Sequence, residues 1–245
     1  MSVTDHRILD DHADDFVYSG SELGAMRTAS NYYRWLLSRF APYLRGTVLE
    51  VGAGIGTFSS QILTLQTVSK LIAIEPDRSA HALLVSRFGD FPKFEARLGY
   101  LESFDLAPAD SLVAVNVLEH IADDVGFLTA AADVVKRGGH LLLFVPAVPR
   151  LFGTLDRSFG HHRRYTRSSL EAVLSSTGWT PVQLSYSNFP GILAWLLLGR
   201  VLRRGTITEV EARLYDRLVI PWLSRIESRL PPPIGQSLMA VARRD

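Results

Sequence analysis

A doubly wound α/β fold built on a mostly parallel sheet is predicted, with a helical insertion before the last strand. Three observations predict it: strand-like apolar runs alternate with helical periodicities, a glycine-rich turn follows the first run, and an acid ends the second. Residues 48–59 read Val-Leu-Glu-Val-Gly-Ala-Gly-Ile-Gly-Thr-Phe-Ser, a strand followed by Gly52, Gly54 and Gly56 and then the start of a helix. Glycines there let the backbone turn sharply and let a ligand lie against it, while the helix start presents unpaired N–H groups and a positive dipole end. An anionic or ribose-bearing ligand is implied.

The elements follow in order. Asn31-Tyr32-Tyr33-Arg34-Trp35 lies on an opening helix whose Tyr33, Leu36, Leu37 and Phe40 form one apolar face. After the glycine turn, Lys70 to Ile74 is a short apolar strand, Lys93 to Leu98 alternates, Ser111 to Val117 is apolar, and His140 to Val145 is unbroken Leu/Phe/Val. Buried parallel strands read this way. Val125, Leu128, Ala132 and Val135 recur at helical spacing behind Asp123, an N-cap residue, and Gly138-Gly139 are expected to close that helix. Ser168 and Glu171 make a capping box for the next helix, and Thr180 to Ser187 and Gln236 to Arg243 supply the last two strands.

Between those strands, Ile192, Leu193, Trp195, Leu196, Leu197, Val201 and Leu202 form an apolar helix with Arg200, Arg203 and Arg204 near its end. Thr208 and Glu211 form another capping box, and Tyr215, Leu218, Trp222 and Ile226 continue at helical spacing with Pro221 as a kink. The expected division is a helical cap over 1–45, a ligand-binding core over 46–188, the insertion over 189–234 and the final strand over 235–245.

Composition bounds the function. At 245 residues, 47% hydrophobic and 21% charged, the chain can bury a full core and reads as one domain with an elaboration. The longest apolar run, Ile192 to Leu198, falls far short of the ~20 residues of a membrane span. Met1 to Phe16 is polar and acidic, unlike a signal peptide, so a soluble cytoplasmic protein is expected. The absence of cysteine excludes disulfides, thiolate zinc sites and a cysteine nucleophile, and no metal is expected. With 26 Lys+Arg against 25 Asp+Glu, no overall field draws the chain to nucleic acid.

The glycine spacing is specific. A dinucleotide fingerprint wants a small residue three places after the second glycine, where this chain has Thr57. The pattern Glu-x-Gly-x-Gly-x-Gly instead resembles motif I of the class I S-adenosylmethionine (AdoMet) methyltransferases, whose Rossmann-like fold implies a seven-stranded, mostly parallel sheet with an antiparallel last strand, the role that Ser237 to Arg243 fits. The resemblance implies that Gly52, Ala53, Gly54 and Gly56 pass beneath the methionine portion of AdoMet, with Glu50 near its amino group. The second strand ends Ile74-Glu75-Pro76-Asp77, 19 residues from Gly56 to Glu75. A carboxylate there can accept both ribose hydroxyls, and by resemblance Glu75, beside Pro76, is the ribose ligand.

Gly99-Tyr100-Leu101-Glu102 stands where many relatives have Gly-Asp, so adenine is read either by the Leu101 backbone and Glu102 or by stacking on Tyr100. Val113 to Ile121 looks like motif IV in its small-molecule version, which implies cofactor contacts from Asn116, Val117 and Leu118; His120 reads as a packing residue. No Asp/Asn-Pro-Pro-aromatic tetrapeptide is present, so a DNA substrate is disfavoured. On the opening helix, Tyr33 or Arg34 either meets the methionine carboxylate or simply packs at the sheet edge.

Gly160-His161-His162-Arg163-Arg164-Tyr165 follows the fifth strand, where open α/β sheets place their sites, and resembles a Gly-His-x-Arg-Arg-Tyr stretch of methyltransferases from sugar and natural-product pathways. Methyl transfer from a sulfonium needs alignment, and a hydroxyl acceptor also needs its proton removed. His161 or His162 is the candidate base, with Arg164 or Arg163 and Tyr165 orienting a small-molecule acceptor. The plainer alternative pairs one arginine with Asp156 or Asp105 and leaves the histidines packed. The expected activity is methylation of a hydroxyl on a sugar, glycan or natural product. N-methylation of an amino sugar or amine, C-methylation of a quinone-like ring, and an inactive AdoMet-binding partner subunit remain open. The insertion is a lid over the acceptor, a dimer surface of a monomer or homodimer, a weak membrane-surface contact, or a cap packed on its own domain.

Overall fold

The computed structural model describes residues 28–245; residues 1–27, including the acidic stretch Met1 to Phe16 and most of the expected cap, lie outside the described residues. Seven strands form one sheet: β1 (Gly46–Val51), β2 (Val68–Glu75), β3 (Phe94–Leu98), β4 (Ala109–Val115), β5 (Val135–Pro146), β6 (Trp179–Ser187) and β7 (Ser237–Arg244). Their order is β3-β2-β1-β4-β5-β7-β6. The first five are parallel, and β7 runs antiparallel between β5 and β6. The order reverses between β1 and β4, so a crevice opens beyond their carboxyl ends.

Alternation along each strand divides the core. Leu49, Ile74, Leu112 and Leu143 face one layer with Leu128 and Trp179, whose Nε1–H donates to the Leu128 carbonyl at 2.9 Å. Val48, Ala73, Val113 and Leu142 face the other with Trp35 and Phe40. Helices α1 (Ser30–Phe40), α2 (Thr57–Ile62), α3 (Arg78–Phe88) and α4 (Asp124–Asp133) belong to these layers, α5 (Thr154–Ser158) packs against the insertion, and α6 (Arg167–Ser176) returns to the sheet. The insertion contributes α7 (Phe189–Trp195), which continues as a π-helical stretch (Leu196–Val201), then α8 (Glu209–Leu218) and α9 (Ile220–Glu227).

Several boundaries differ from the sequence reading. The helix behind Asp123 ends at Asp133, and Val135 begins β5, paired with Ala109. Its buried face is Phe127, Leu128, Ala131 and Ala132, while Val125 is exposed. Gly138-Gly139 therefore sits inside β5, where the register shifts against β4; a Cβ on Gly139 would lie 2.8 Å from the Asp110 carbonyl oxygen. The glycines mark a strand irregularity and a close backbone approach. The cap of α6 is Thr166 with Ser169, two positions ahead of the expected Ser168–Glu171 box. The Thr208–Glu211 box forms as read. Pro221 lies in the first turn of a separate helix rather than at a mid-helix kink, because α8 ends at Leu218. On the opening helix Tyr32, not Tyr33, is the buried tyrosine.

One long-range tie fixes how these helices sit. Helix α1 begins at Ala29 without a side-chain cap of its own. Asp216 on α8 supplies it, accepting from the Tyr32 N–H at 2.8 Å and the Asn31 N–H at 3.2 Å. In the same manner Glu227 on α9 accepts from the Asn188 and Phe189 N–H groups at the start of α7. Both acids are buried, so each stabilises by neutralising orphan helix donors.

Candidate functional site

One cavity of about 940 Å³ extends from the glycine turn after β1, past the ends of β2 and β4, to the underside of the insertion. It lies at the upper end of the ~300–1,000 Å³ of small-molecule pockets, with room for two ligands side by side.

At the β1 end the turn is shaped by steric exclusion. Gly52 has φ +68°, and a Cβ there would stand 2.4 Å from Val117 Cγ2. Gly56, at φ +80°, would strike Phe88 and Leu84 of α3. Gly56 thus serves packing and does not line the cavity, whereas Gly52, Ala53 and Gly54 do. Glu75, at the end of β2, is buried; its Oε2 accepts the Gly54 N–H at 2.7 Å and its Oε1 the Asp77 N–H at 2.9 Å. Burial nevertheless raises its pKa, against those two bonds. Glu50 is buried beside it and accepts the Ser59 hydroxyl at 2.6 Å. Its pKa is pushed up to about 8 by burial, with the Ser59 bond opposing and the Glu75 charge adding. An acid at each strand end therefore faces a turn stripped of side chains.

The walls of this end come from three further segments. Pro76, Leu101 and Glu102 line it, with Tyr100 half turned to solvent. Asn116 and Val117 line it from the end of β4, where Asn116 adopts φ 53°, a conformation asparagine tolerates better than most residues. Leu118 points into the core, fully buried, and is absent from the lining. From α1, Tyr33 lines the cavity together with Tyr32; Arg34 instead donates to Asn31.

At the other end the Gly160–Tyr165 stretch separates into two groups. His161 and His162 line the cavity. His161 is held through Nδ1 at 3.1 Å from Asp156 Oδ1, while His162 is exposed and anchored only by its N–H to the Glu119 carbonyl. Arg164 and Tyr165 turn away: Arg164 Nε donates to Asp156 Oδ1 at 2.6 Å and Nη1 to the Ala147 carbonyl, and Tyr165 donates to Asp124 Oδ2 at 2.8 Å. Arg163 also pairs with Asp124. A fully buried guanidinium needs such partners, and the Asp156 carboxylate is its ion-pair partner.

Asp156 is the organiser that sequence reading placed only in the plainer alternative. Its oxygens accept from Gly153 N–H, His161, Arg164 and the Trp195 indole N–H. Burial alone would raise its pKa, but the His161 bond and the Arg164 charge hold it below the usual carboxylate range. A carboxylate bonded to one imidazole nitrogen orients the ring and leaves the other nitrogen for chemistry.

Sequence reading also passed over Glu119 and gave His120 only a packing role, though both line the cavity. The His120 ring meets His161 edge-on with centroids 4.7 Å apart, and burial followed by the His161 charge lowers its pKa to about 4. His120 is thus neutral at physiological pH. Glu119, His120 and His161 each bring one ligand-type atom within 4.8 Å of the others. The only sequence signal for this grouping was the Glu-His pair after β4. Trp195 and Tyr215, read as apolar helix faces, close the cavity from the insertion. The Arg164 guanidinium stacks over Trp195 at 4.6 Å, and the Tyr215 hydroxyl donates to Asn188.

Comparison with known proteins agrees with the fold. A family model described as a methyltransferase domain matches residues 26–184. No curated protein matches the sequence. Among solved structures, a putative methyltransferase from Bacillus halodurans is similar with a TM-score of 0.58 at 18% identity, over 85% of this chain and 97% of that one. Phosphoethanolamine N-methyltransferase 2 of Haemonchus contortus, solved with S-adenosyl-L-methionine, gives 0.62 at 18% identity over 87% and 52%. A Haloferax volcanii complex of the Trm112 methyltransferase activator with a putative methyltransferase gives 0.62 at 13% over 91% and 97%. At these identities each likeness is one of fold.

Proposed function

The chain belongs to the methyltransferase domain family, with a class I fold, and from that premise we propose that it transfers a methyl group from AdoMet to a hydroxyl of a small molecule held beneath the insertion. The observation that carries this reading is the single cavity joining the Glu50–Gly52–Gly54–Glu75 turn to the Asp156–His161 pair.

The turn fits AdoMet. Gly52 and Gly54 leave its floor without side chains, Glu75 lines the cavity where ribose hydroxyls need an acceptor, and Glu50 is a buried acid able to face an ammonium group. Tyr33, Ala53, Pro76, Leu101, Glu102, Asn116 and Val117 would complete its enclosure. When bound, AdoMet supplies an electrophilic methyl on a sulfonium whose departure needs no proton.

The remaining work falls to the acceptor end. His161 Nε2 takes the acceptor hydroxyl proton as the oxygen attacks, and Asp156 on Nδ1 stabilises the imidazolium that forms. Arg164 and Tyr165 act as positioning residues, Arg164 through Asp156 and Tyr165 through the Asp124 contact. His120, neutral beside His161, adds no competing positive charge. Trp195 and Tyr215 cover the site, favouring in-line approach and excluding water.

An amine acceptor is the second reading, supported by a similar structure that is an N-methyltransferase; an amine that is already neutral requires no base. Calorimetric titration with AdoMet tests the first half, and absence of binding ends the proposal. A panel of hydroxyl and amine acceptors assayed for methyl transfer tests the second. Binding without turnover on the panel would favour a partner subunit instead.

A further inference from the structure

The outer surface of the insertion differs from the rest of the molecule. Val210, Leu214, Leu218, Trp222, Ile226 and Leu230 recur every four residues along α8, α9 and the turn beyond, and each is between 53% and 73% exposed. Arg213, Arg217, Arg225 and Arg229 stand one residue ahead of Leu214, Leu218, Ile226 and Leu230 as a second row, while Glu209 and Pro221 precede Val210 and Trp222. The helices are held by their other sides, through Tyr215, Ile220 and Leu223. The apolar row is therefore not needed for folding, and monomers seldom leave so continuous a patch in water.

Charge decides what covers it. Residues 196–234 hold seven arginines against four acids, and two of the acids, Asp216 and Glu227, are buried on backbone N–H groups. A third, Glu211, pairs with Arg204. Among the described residues Arg203, Arg213, Arg217 and Arg229 have no acidic partner. A two-fold contact between copies would set these arginine rows against one another. An anionic bilayer offers both complements, phosphate headgroups for the guanidinium groups and the acyl boundary for the aliphatic side chains and Trp222. No helix among the described residues is long and apolar enough to cross a membrane, so the contact lies in the interface plane.

We propose that the outer face of α8 and α9 docks on anionic phospholipid membranes, with Leu214, Leu218, Trp222 and Ile226 entering the headgroup–acyl boundary and Arg213, Arg217, Arg225 and Arg229 engaging phosphates. The inference stands apart from methyl transfer, although the same helices roof the acceptor end of the cavity. Trp222 supplies the reporter, since Trp35 and Trp179 are buried and Trp195 is partly covered.

The full chain is mixed with vesicles of phosphatidylcholine alone or with phosphatidylglycerol, followed by Trp fluorescence and co-sedimentation. Expected is a blue shift with anionic vesicles only, lost in Trp222→Phe and reversed by high salt. Arg213→Gln with Arg217→Gln should lower partitioning roughly 25-fold, about fivefold per arginine. Leu218→Ser should weaken sedimentation without altering AdoMet binding. Equal binding to uncharged vesicles, no binding to anionic ones, or a stable dimer that shields Trp222 from a soluble quencher would each overturn the proposal. The salt series on the unsubstituted protein decides it even if a variant fails to fold.

Discussion

Replacing Glu50 by glutamine should change how the stability of the cofactor-free protein depends on pH. Glu50 is buried at the end of β1 and its pKa is raised to about 8, chiefly by burial. A carboxyl whose pKa is higher folded than unfolded favours the fold while protonated. Its contribution is complete below the unfolded value of about 4.5 and is lost as pH climbs towards 8. The whole span corresponds to about 5 kcal/mol, of which about 2 kcal/mol disappears between pH 6 and pH 8. The amide of Glu50→Gln would keep an acceptor for the Ser59 hydroxyl and cannot ionise. Titrating groups remote from Glu50 act in both proteins and cancel in the comparison, as does any fixed cost of the amide, whereas Glu75, whose charge adds to the Glu50 shift, is relieved of that neighbour in the variant. Urea unfolding at pH 6, 7 and 8 should therefore show the variant gaining about 2 kcal/mol on the parent across that range. Parallel profiles, differing by a constant at all three pH values, would refute the buried-acid argument.

Three other outcomes are expected. His161→Ala should cut kcat on a hydroxyl acceptor by about 10²–10⁴ while leaving AdoMet affinity alone, and His162→Ala should stay within a few-fold; equal losses in steady-state assays would remove the distinction drawn from Asp156. Arg164→Met leaves Asp156 buried without its cation, and should cost about 3–5 kcal/mol in denaturant unfolding; a loss under about 1 kcal/mol would mean the pair does not hold the loop. Gly52→Ala puts a methyl 2.4 Å from Val117 at positive φ, so calorimetry should find AdoMet binding weakened by about tenfold or more, with Val117→Ala relieving the clash but not the backbone strain. Unchanged affinity in Gly52→Ala would place the cofactor elsewhere.

The parallel core was legible in the sequence because its signals are local. An unbroken apolar run such as His140 to Val145, and an acid after Ile74, keep their meaning whatever packs on them. Gly138-Gly139 misled because a helix stop and a strand bulge both use glycine, and only the approach of the Asp110 carbonyl separates them. Leu218, Trp222 and Ile226 showed a helical period, yet periodicity does not say which side faces the protein; Ile220 and Leu223 took the inner side. The two histidines and two arginines looked alike in sequence. The division of His161 to the cavity and Arg164 to the core follows from Asp156, which reaches both only through the loop's conformation.

The cap that Asp216 gives to α1 has a thermodynamic corollary. Its neighbour Tyr215 lines the cavity from the insertion, and Tyr32 and Tyr33, beside the amides it holds, line it from α1. A ligand that displaces α8 must also uncap α1, at a cost of about 0.5–2 kcal/mol. Two ligands that each shifted α8 would then be coupled, by the same factor in both directions. Segments 185 residues apart in the chain thus form a single joint.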